Sequence, residues 1–569
     1  MKHSSKLYLS VALASGVLLT SCNKLGELSA DNFTVTPSPL EVVAGKVPVT
    51  INGRFPEKYM KKKAVVTVTP VLRYEGGETA GQPATFQGEK IQGNDQEISY
   101  KVGGNYTMKN TFDYVDAMAT SELYLTFDAK VGKKQKSVEV PDVKVANGVI
   151  ATSELLKSTV QNANTALGQD AYQYAIAQTQ QAQIKYLINQ ANVRTSELKS
   201  VSVQDFVKVL REIKNDQKGF QLDNIEISAY ASPEGSLKFN TQLAEKRQKS
   251  SAKFLEGELK NMELDADINT KYTAEDWEGF QELLMASNLQ DKEVILRVLS
   301  MYEDPEEREV QIRNLSAGFE ELATEILPEL RRARLTVNYN LIGRSDDEIQ
   351  AQYKSNAKAL SVEELLYAAT LTEETPEKKD IYTTTTNVYP EDYRAYNNLG
   401  AISIAEGNLE AAKNYLKQAA SKKDCAEVNA NRALVALAEG NTEEAETFVS
   451  RATSSPVYNE LVGNLNVAKG NYAAAAQSLA GAKTNSAALA EILAKNYTAA
   501  EKTLNNVKNA DAMTDYLKAV VAARTGKNNE AVKNLANAIA KDASLKAHAA
   551  KNLDFVTLFN DSAFLNLVK

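Results

Sequence analysis

Between residues 407 and 531 a six-residue pattern recurs, and it restricts the carboxy-terminal part of this chain to one kind of architecture. Its copies are Gly407-Asn408-Leu409-Glu410-Ala411-Ala412, Gly440-Asn441-Thr442-Glu443-Glu444-Ala445, Gly470-Asn471-Tyr472-Ala473-Ala474-Ala475 and Gly526-Lys527-Asn528-Asn529-Glu530-Ala531. Lys495-Asn496-Tyr497-Thr498-Ala499-Ala500 is a divergent fifth copy, and the successive intervals are 33, 30, 25 and 31 residues. From about residue 345 onward the chain is Ala-rich and has almost no strand patterning. An interval of this size holds two short helices and a turn, a unit too small to bury its own apolar face, so the units must stack into a solenoid. Ala412, Ala445, Ala475, Ala500 and Ala531 allow the paired helices to approach closely, while Leu416, Val449, Leu479, Leu504 and Leu535 fill the seam. The 25-residue interval predicts a shortened helix. Leu553-Asp554-Phe555-Val556-Thr557-Leu558-Phe559 carries larger apolar residues than the repeats and is expected to cap the stack or dock to a partner.

These units resemble degenerate tetratricopeptide repeats, whose period is 34 residues. The first copy is nearest to the family pattern, with Tyr396 at its usual Trp position, then Leu399-Gly400, Ala412, Leu416 and Ala419. The resemblance implies a concave groove that binds a peptide or a partner protein, with an architectural spacer as the other reading.

The amino terminus carries an address. Lys2 and Lys6 precede an apolar run from Leu7 to Leu19, followed by Thr20-Ser21-Cys22. Thirteen residues at 1.5 Å each reach about 20 Å, short of the roughly 30 Å hydrocarbon core, so the run reads as a signal-peptide core and not a membrane span. Leu19-Thr20-Ser21-Cys22 resembles a bacterial lipobox, which implies cleavage after residue 21 and acylation of Cys22. Several acyl chains hold a protein on a bilayer stably. Asp is absent directly after Cys22, which argues against inner-membrane retention. Asn23-Lys24-Leu25-Gly26-Glu27 lacks the acidic cluster of a Bacteroidetes surface-export tag. The expected location is therefore the outer membrane, lipid-anchored and periplasm-facing, with the cell surface kept open.

Composition narrows the chemistry. The formal charge of −8 becomes −10 once Lys2 and Lys6 are removed, and no basic surface suited to nucleic acid is offered. With two cysteines and two histidines in 569 residues, His-based catalysis and Cys/His metal sites are barely supplied. Cys22, if lipidated, leaves Cys425 without a disulfide partner. GxSxG, HExxH, CxxC, Walker A and GxGxxG are all missing. A calcium-loop opening at Asp265-x-Asp267-x-Asn269 fails, because Thr270 stands where the loop needs Gly and Asp276 where it needs Glu. Trp277, the sole tryptophan, starts a helix and reads as a core anchor. No enzyme, cofactor or metal is expected; a glycosidase working with a carboxylate pair is the weakest alternative.

Residues 33–150 alternate with period 2 in Val47-Val49-Ile51, Val65-Val66-Val68-Val71, Ile98-Tyr100-Val102, Leu123-Tyr124-Leu125-Phe127 and Val138-Val140-Val143-Val145, bounded by Gly and Pro. This predicts an all-β sandwich after a lipidated linker, 22–32. From 151 the texture turns to mixed α/β, with strands at Ile184–Asn189 and Ile225–Tyr230, helices over Val203–Leu210 and Leu237–Leu259, a helical insertion and a closing strand at Arg331–Tyr339. The stretch Ile225–Leu259, closed by Arg331–Tyr339, resembles the OmpA-like domain, a βαβαβ module that in many members clasps peptidoglycan stem peptides. That resemblance implies an Asp and an Arg holding the charged groups of diaminopimelate. The Arg falls on Arg247, with Asn240 and Leu243 spaced before it, and the Asp position falls on Ser232, with Glu234 two residues away as a substitute carboxylate.

The chain thus reads as multidomain: signal peptide 1–21, linker 22–32, β-sandwich 33–150, OmpA-like α/β domain 151–344 with a helical insertion, and an all-α tetratricopeptide-like solenoid 345–569. The expected function is that of a non-enzymatic outer-membrane lipoprotein. It serves as a periplasmic scaffold or accessory subunit of an envelope complex for secretion, uptake or outer-membrane protein assembly, and binds partner proteins through its repeats. The alternatives are a peptidoglycan tether, with Arg247, Asn240 and Ser232 as its site, and a surface-exposed adhesin or pilus accessory.

Overall fold

The glycine of the recurring pattern is used for a conformation that other residues adopt only under strain. In the computed structural model, which describes residues 25–289, 292–314 and 316–569, Gly407, Gly440, Gly470 and Gly526 have φ of +71°, +77°, +77° and +74°. Each ends one helix in the left-handed region, and the next residue opens the following helix. Asn408 accepts a hydrogen bond from the Ala411 N–H at 3.1 Å, and Asn441 accepts from the Glu444 N–H at 3.2 Å. Asn496 caps its helix in the same way, through the Ala499 N–H. The pattern is therefore a helix stop followed by a helix start. In the divergent copy Lys495 takes the glycine position with φ +62°. Lys495→Gly is expected to stabilise the repeats by roughly 0.5–1 kcal/mol, the left-handed strain of about 1–2 kcal/mol less the extra freedom glycine has in the unfolded chain. A higher urea midpoint at unchanged slope checks this.

Signal segment 1–21 and Cys22 lie outside the described residues. The chain forms two units, one running to Gln169 and resuming at Thr372–Lys569, the other Asp170–Leu371. Both expected boundaries of the α/β domain shift. Residues 151–169 belong with the repeats, and 345–371 belong with the α/β unit instead of the solenoid. Helices Asp346–Asn356 and Val362–Ala368 stay with the sheet because Tyr367 packs on Tyr172 at 4.7 Å between ring centroids and Glu364 pairs with Arg344 at 2.7 Å.

The first unit begins with the expected sandwich. One sheet has the order Phe33–Thr36, Lys46–Phe55, Gly104–Asp113. The other runs Lys136–Val138, Ser121–Val131, Ala64–Tyr74, Ala84–Gly88, Gln96–Ile98, with Val143–Asn147 and Gly77–Ala80 paired at its side. Alternate residues Val47, Val49, Ile51 and Phe55 face Val66, Val68, Leu123 and Leu125 in one core, as period-2 patterning requires. Two expected strands are interrupted. Ile98-Tyr100-Val102 turns back at the Ser99–Gly103 bridge, leaving Val102 73% exposed, and Pro141 separates Val138 from Val143.

Five helix pairs follow in the same unit: Tyr393–Ala405 with Leu409–Lys422, Ala426–Ala438 with Thr442–Arg451, Tyr458–Ala468 with Tyr472–Ser478, Asn485–Leu493 with Tyr497–Leu504, and Ala512–Arg524 with Asn528–Lys541. The alanines and seam residues named above are all buried. Gly400 is needed for close approach, since a Cβ there would lie 2.7 Å from Leu416; Gly463 repeats this against Leu479 at 2.4 Å. The 25-residue interval corresponds to the short helices Tyr472–Ser478 and Asn485–Leu493. Phe555 and Leu558 sink into the last pair and cap the stack.

In the second unit a four-stranded sheet has the order Ala175–Lys185, Arg332–Ile342, Phe220–Tyr230, Ile268–Thr273. The closing strand is central and antiparallel to both neighbours, while Phe220–Tyr230 and Ile268–Thr273 run parallel. Helices Val201–Asn215 and Leu237–Met262 cover the sheet with Val203, Phe206, Leu210, Ile213, Leu255 and Leu259. The first strand begins nine residues before the expected Ile184 segment and ends at Lys185. Trp277 is half-buried at the start of helix Trp277–Ala286, edge-on to Phe280 at 5.6 Å.

Candidate functional site

Inner helices of the first three repeats carry Asn397, Asn431 and Asn464, which lie 10, 9 and 6 residues before the turn glycines Gly407, Gly440 and Gly470, so the first two sit at nearly the same level on successive helices and Asn464 about one turn nearer its glycine. All three are fully buried. A buried primary amide offers two donors and an acceptor and must find partners. Asn431 and Asn397 find them on the chain's own residues 152–169, which run along the inner helices as a strap. The Ala166 N–H donates to Asn431 Oδ1 at 2.9 Å, and its carbonyl accepts from Asn431 Nδ2 at 2.7 Å and Asn397 Nδ2 at 2.8 Å. Two residues on, Gly168 exchanges both backbone bonds with Asn398, at 2.8 and 3.0 Å. Gln169 O accepts from Arg394 at 3.1 Å.

Towards its amino-terminal end the strap grips by burial. Short helical turns Thr152–Leu155, Leu156–Thr159 and Val160–Asn162 place Leu155, Leu156 and Val160 in the repeat core. Thr159 meets Ser486 at 3.2 Å, and Thr152 donates to Asp554 at 2.6 Å while accepting from Arg524 at 2.8 Å. The strap thus runs antiparallel to the solenoid, its start at the last repeat and its end at the first. Sequence reasoning missed it, although Asn398 and Asn431, each nine residues before a turn glycine on a largely apolar helix, were a usable signal.

One inner-helix acid has no such partner. Burial raises the Glu491 carboxyl above its ordinary 4.5, a side-chain hydrogen bond with Thr503 opposing it, and Oε2 is buried and unpaired. Because its folded pKa lies above the unfolded value, the folded state holds the proton more tightly. The stability it contributes is present below pH 4.5 and lost as pH rises through the raised folded value. Glu491→Gln is therefore expected to shrink the fall in urea midpoint between pH 5 and pH 8 and to be the more stable protein at pH 8.

The three residues nominated for peptidoglycan lie together in the α/β unit, and all are buried: Ser232 at 5%, Asn240 at 2% and Arg247 at 0% exposure. Arg247 donates to three backbone carbonyls, Gln190 at 3.0 Å, Tyr230 at 2.8 Å and Leu187 at 3.3 Å, with its guanidinium over the Tyr186 ring. Burial pulls its pKa down to about 10. Ser232 donates to Glu234 at 3.0 Å, and Arg331 pairs with that same carboxylate at 2.8 Å, so Glu234 is already neutralised. Asn240 donates to Gly235 O at 3.2 Å. The arrangement locks a turn. Among the described residues, no group of three or more His, Cys, Asp or Glu is placed to hold a metal, and no helix is long and apolar enough to cross a membrane.

A stack of five helix pairs, each turned by a left-handed residue, with inner-helix amides bonded to the chain's own residues 166–168, is a tetratricopeptide-like helical arrangement. Among solved structures, the chain is similar to a tetratricopeptide repeat protein from Parabacteroides merdae ATCC 43184, at 13% identity over 39% of this chain and 89% of that one, with a TM-score of 0.28. It is also similar to the APC/C hetero-tetramer Cut9–Hcn1, at 13% identity over 39% of this chain and 44% of that one, again with a TM-score of 0.28. No protein-family profile and no curated protein matches the chain.

Proposed function

We propose that this protein is a non-catalytic scaffold that assembles partner proteins on its helical repeats. The observation that supports it is the asparagine-lined inner face, which holds polypeptide backbone by amide hydrogen bonds at Ala166 and Gly168. Recognition of this type needs no reactive side chain, in keeping with the scarcity of His and Cys. The lipobox-like Leu19-Thr20-Ser21-Cys22 adds an address, an outer-membrane lipoprotein facing the periplasm, and the setting is an envelope complex for secretion, uptake or outer-membrane protein assembly. A peptidoglycan tether would need Arg247 to face a ligand, and its guanidinium is committed to carbonyls of its own unit.

The test is in-cell photo-crosslinking of the full chain from exposed repeat positions, followed by gentle detergent purification and mass spectrometry. Stoichiometric crosslinks from the repeats to a fixed set of envelope proteins are expected, together with palmitate labelling that Cys22→Ser abolishes. Muropeptides recovered with no stoichiometric protein would overturn the scaffold reading.

A further inference from the structure

The two halves of the strap are held by different physics. Residues 152–162 are wound into helical turns and anchored by burial of Leu155, Leu156, Thr159 and Val160. Residues 163–169 are extended and are held mainly by hydrogen bonds, through backbone groups of Ala166, Gly168 and Gln169 and the Asn164 side chain on Glu460, with Ala166 as the one fully buried side chain; Leu167 points outward and is 42% exposed. Neutral amide bonds of this kind contribute about 0.5–1.5 kcal/mol each, so the extended half is the weaker grip.

We propose that residues 163–169 are an internal stand-in for a ligand. An extended segment of a partner protein, with small residues at alternate positions, displaces them from the asparagine rungs while 152–162 stays anchored. This rests on the scaffold reading and names the partner's chemistry. Three observations carry it. The rungs read N–H and C=O, which every extended chain presents, so recognition in cis transfers to a chain in trans. The second buried position accepts glycine only, since a Cβ at Gly168 would lie 2.7 Å from the Arg394 Cβ and 2.9 Å from its Cα. A buried amide next to this path is unused: Asn464, about one turn further along the third inner helix than the level of the other asparagines, is fully buried with both Oδ1 and Nδ2 unpaired. The strap passes that helix one turn away, where Asn164 donates to Glu460 at 2.8 Å, and then turns helical at Val160–Asn162. A segment that remained extended past this point could satisfy Asn464 and so gain a contact that the strap forgoes.

The experiment uses the full chain and a fluorescein-labelled peptide of residues 161–170. In Gly168→Val the added side chain meets Arg394, so the extended half is expelled without altering a repeat helix. Fluorescence anisotropy is expected to show at least tenfold tighter peptide binding to Gly168→Val than to wild type. The gain should be lost when Asn397→Ala and Asn431→Ala are added, and should be absent for a peptide carrying Val at the Gly168 position. Hydrogen exchange on the wild-type protein gives an independent reading, with the amides of 166 and 168 exchanging faster than those of 156–160. Equal peptide affinity for wild type and Gly168→Val, or equal protection of both halves, overturns the proposal. If peptide binding fails while crosslinks from the repeats to partner proteins persist, strap exchange is wrong and the scaffold stands; failure of both removes the scaffold as well.

Discussion

Arg247→Ala is expected to destabilise the α/β unit by roughly 3–5 kcal/mol, because it leaves the carbonyls of Leu187, Gln190 and Tyr230 buried without their donor at about 1 kcal/mol or more apiece and adds a cavity. The loss should appear in the unliganded protein as a lower urea midpoint. Arg247→Lys keeps the charge but has no planar fork to reach three carbonyls, and should fall between. A residue kept only to meet a ligand would show neither loss. Wild-type stability in both variants, with binding to cell-wall sacculi lost, would restore Arg247 to the ligand role that the OmpA-like resemblance implies.

The second large effect lies where the strap begins. Asp554, with its side chain 1% exposed, accepts from Arg524 Nε at 2.8 Å and from Thr152 at 2.6 Å. Arg524→Leu is expected to cost about 3–5 kcal/mol, since one partner of a buried ion pair is removed and the other stays desolvated. Asp554→Leu alone should cost a similar amount for the converse reason. The double replacement should recover most of the loss, because two apolar side chains of matching volume often replace a buried pair at little cost. A double-mutant cycle in urea measures the coupling, and strictly additive losses would show that the pair contributes nothing as a pair.

Much of the fold could be read along the chain wherever a requirement is local. The turn of each repeat needs a left-handed residue and then a helix start, and Gly407-Asn408 and Gly440-Asn441 supply both, the asparagine capping the next helix, in adjacent positions. Sandwich strands showed through alternation because one face of each is buried, and runs failed where Pro141 or Gly103 broke the ladder. The α/β strand and helix order followed from period changes over short windows, with ends displaced by up to nine residues.

What a residue faces was not legible in the same way. Arg247 sits on a helix where a guanidinium reads equally as solvated or ligand-binding, and only the approach of Leu187, Gln190 and Tyr230 gives it three acceptors. Asn397, Asn398 and Asn431 look like ordinary polar helix positions until the strap bonds them. Leu155, Leu156 and Val160 lie in short helical turns, yet nothing in their neighbourhood says which core they enter, and the texture change at 151 places them with the α/β domain that follows.

By itself the sequence determined the element types, the five repeat turns, the close helix contacts at alanine and the shortage of reactive groups, because each depends on neighbours within one or two turns. Tertiary structure alone decided that residues 152–169 fill the repeats, that the α/β unit starts at Asp170 and that Arg247 is buried. The first two depend on contacts across 230 residues for Gly168 with Asn398, 265 for Ala166 with Asn431 and 402 for Thr152 with Asp554, and the third on carbonyls 17, 57 and 60 residues from Arg247. A hydrogen bond over such a separation leaves no periodic trace in either partner's neighbourhood, since the complementarity exists only once the intervening chain has folded.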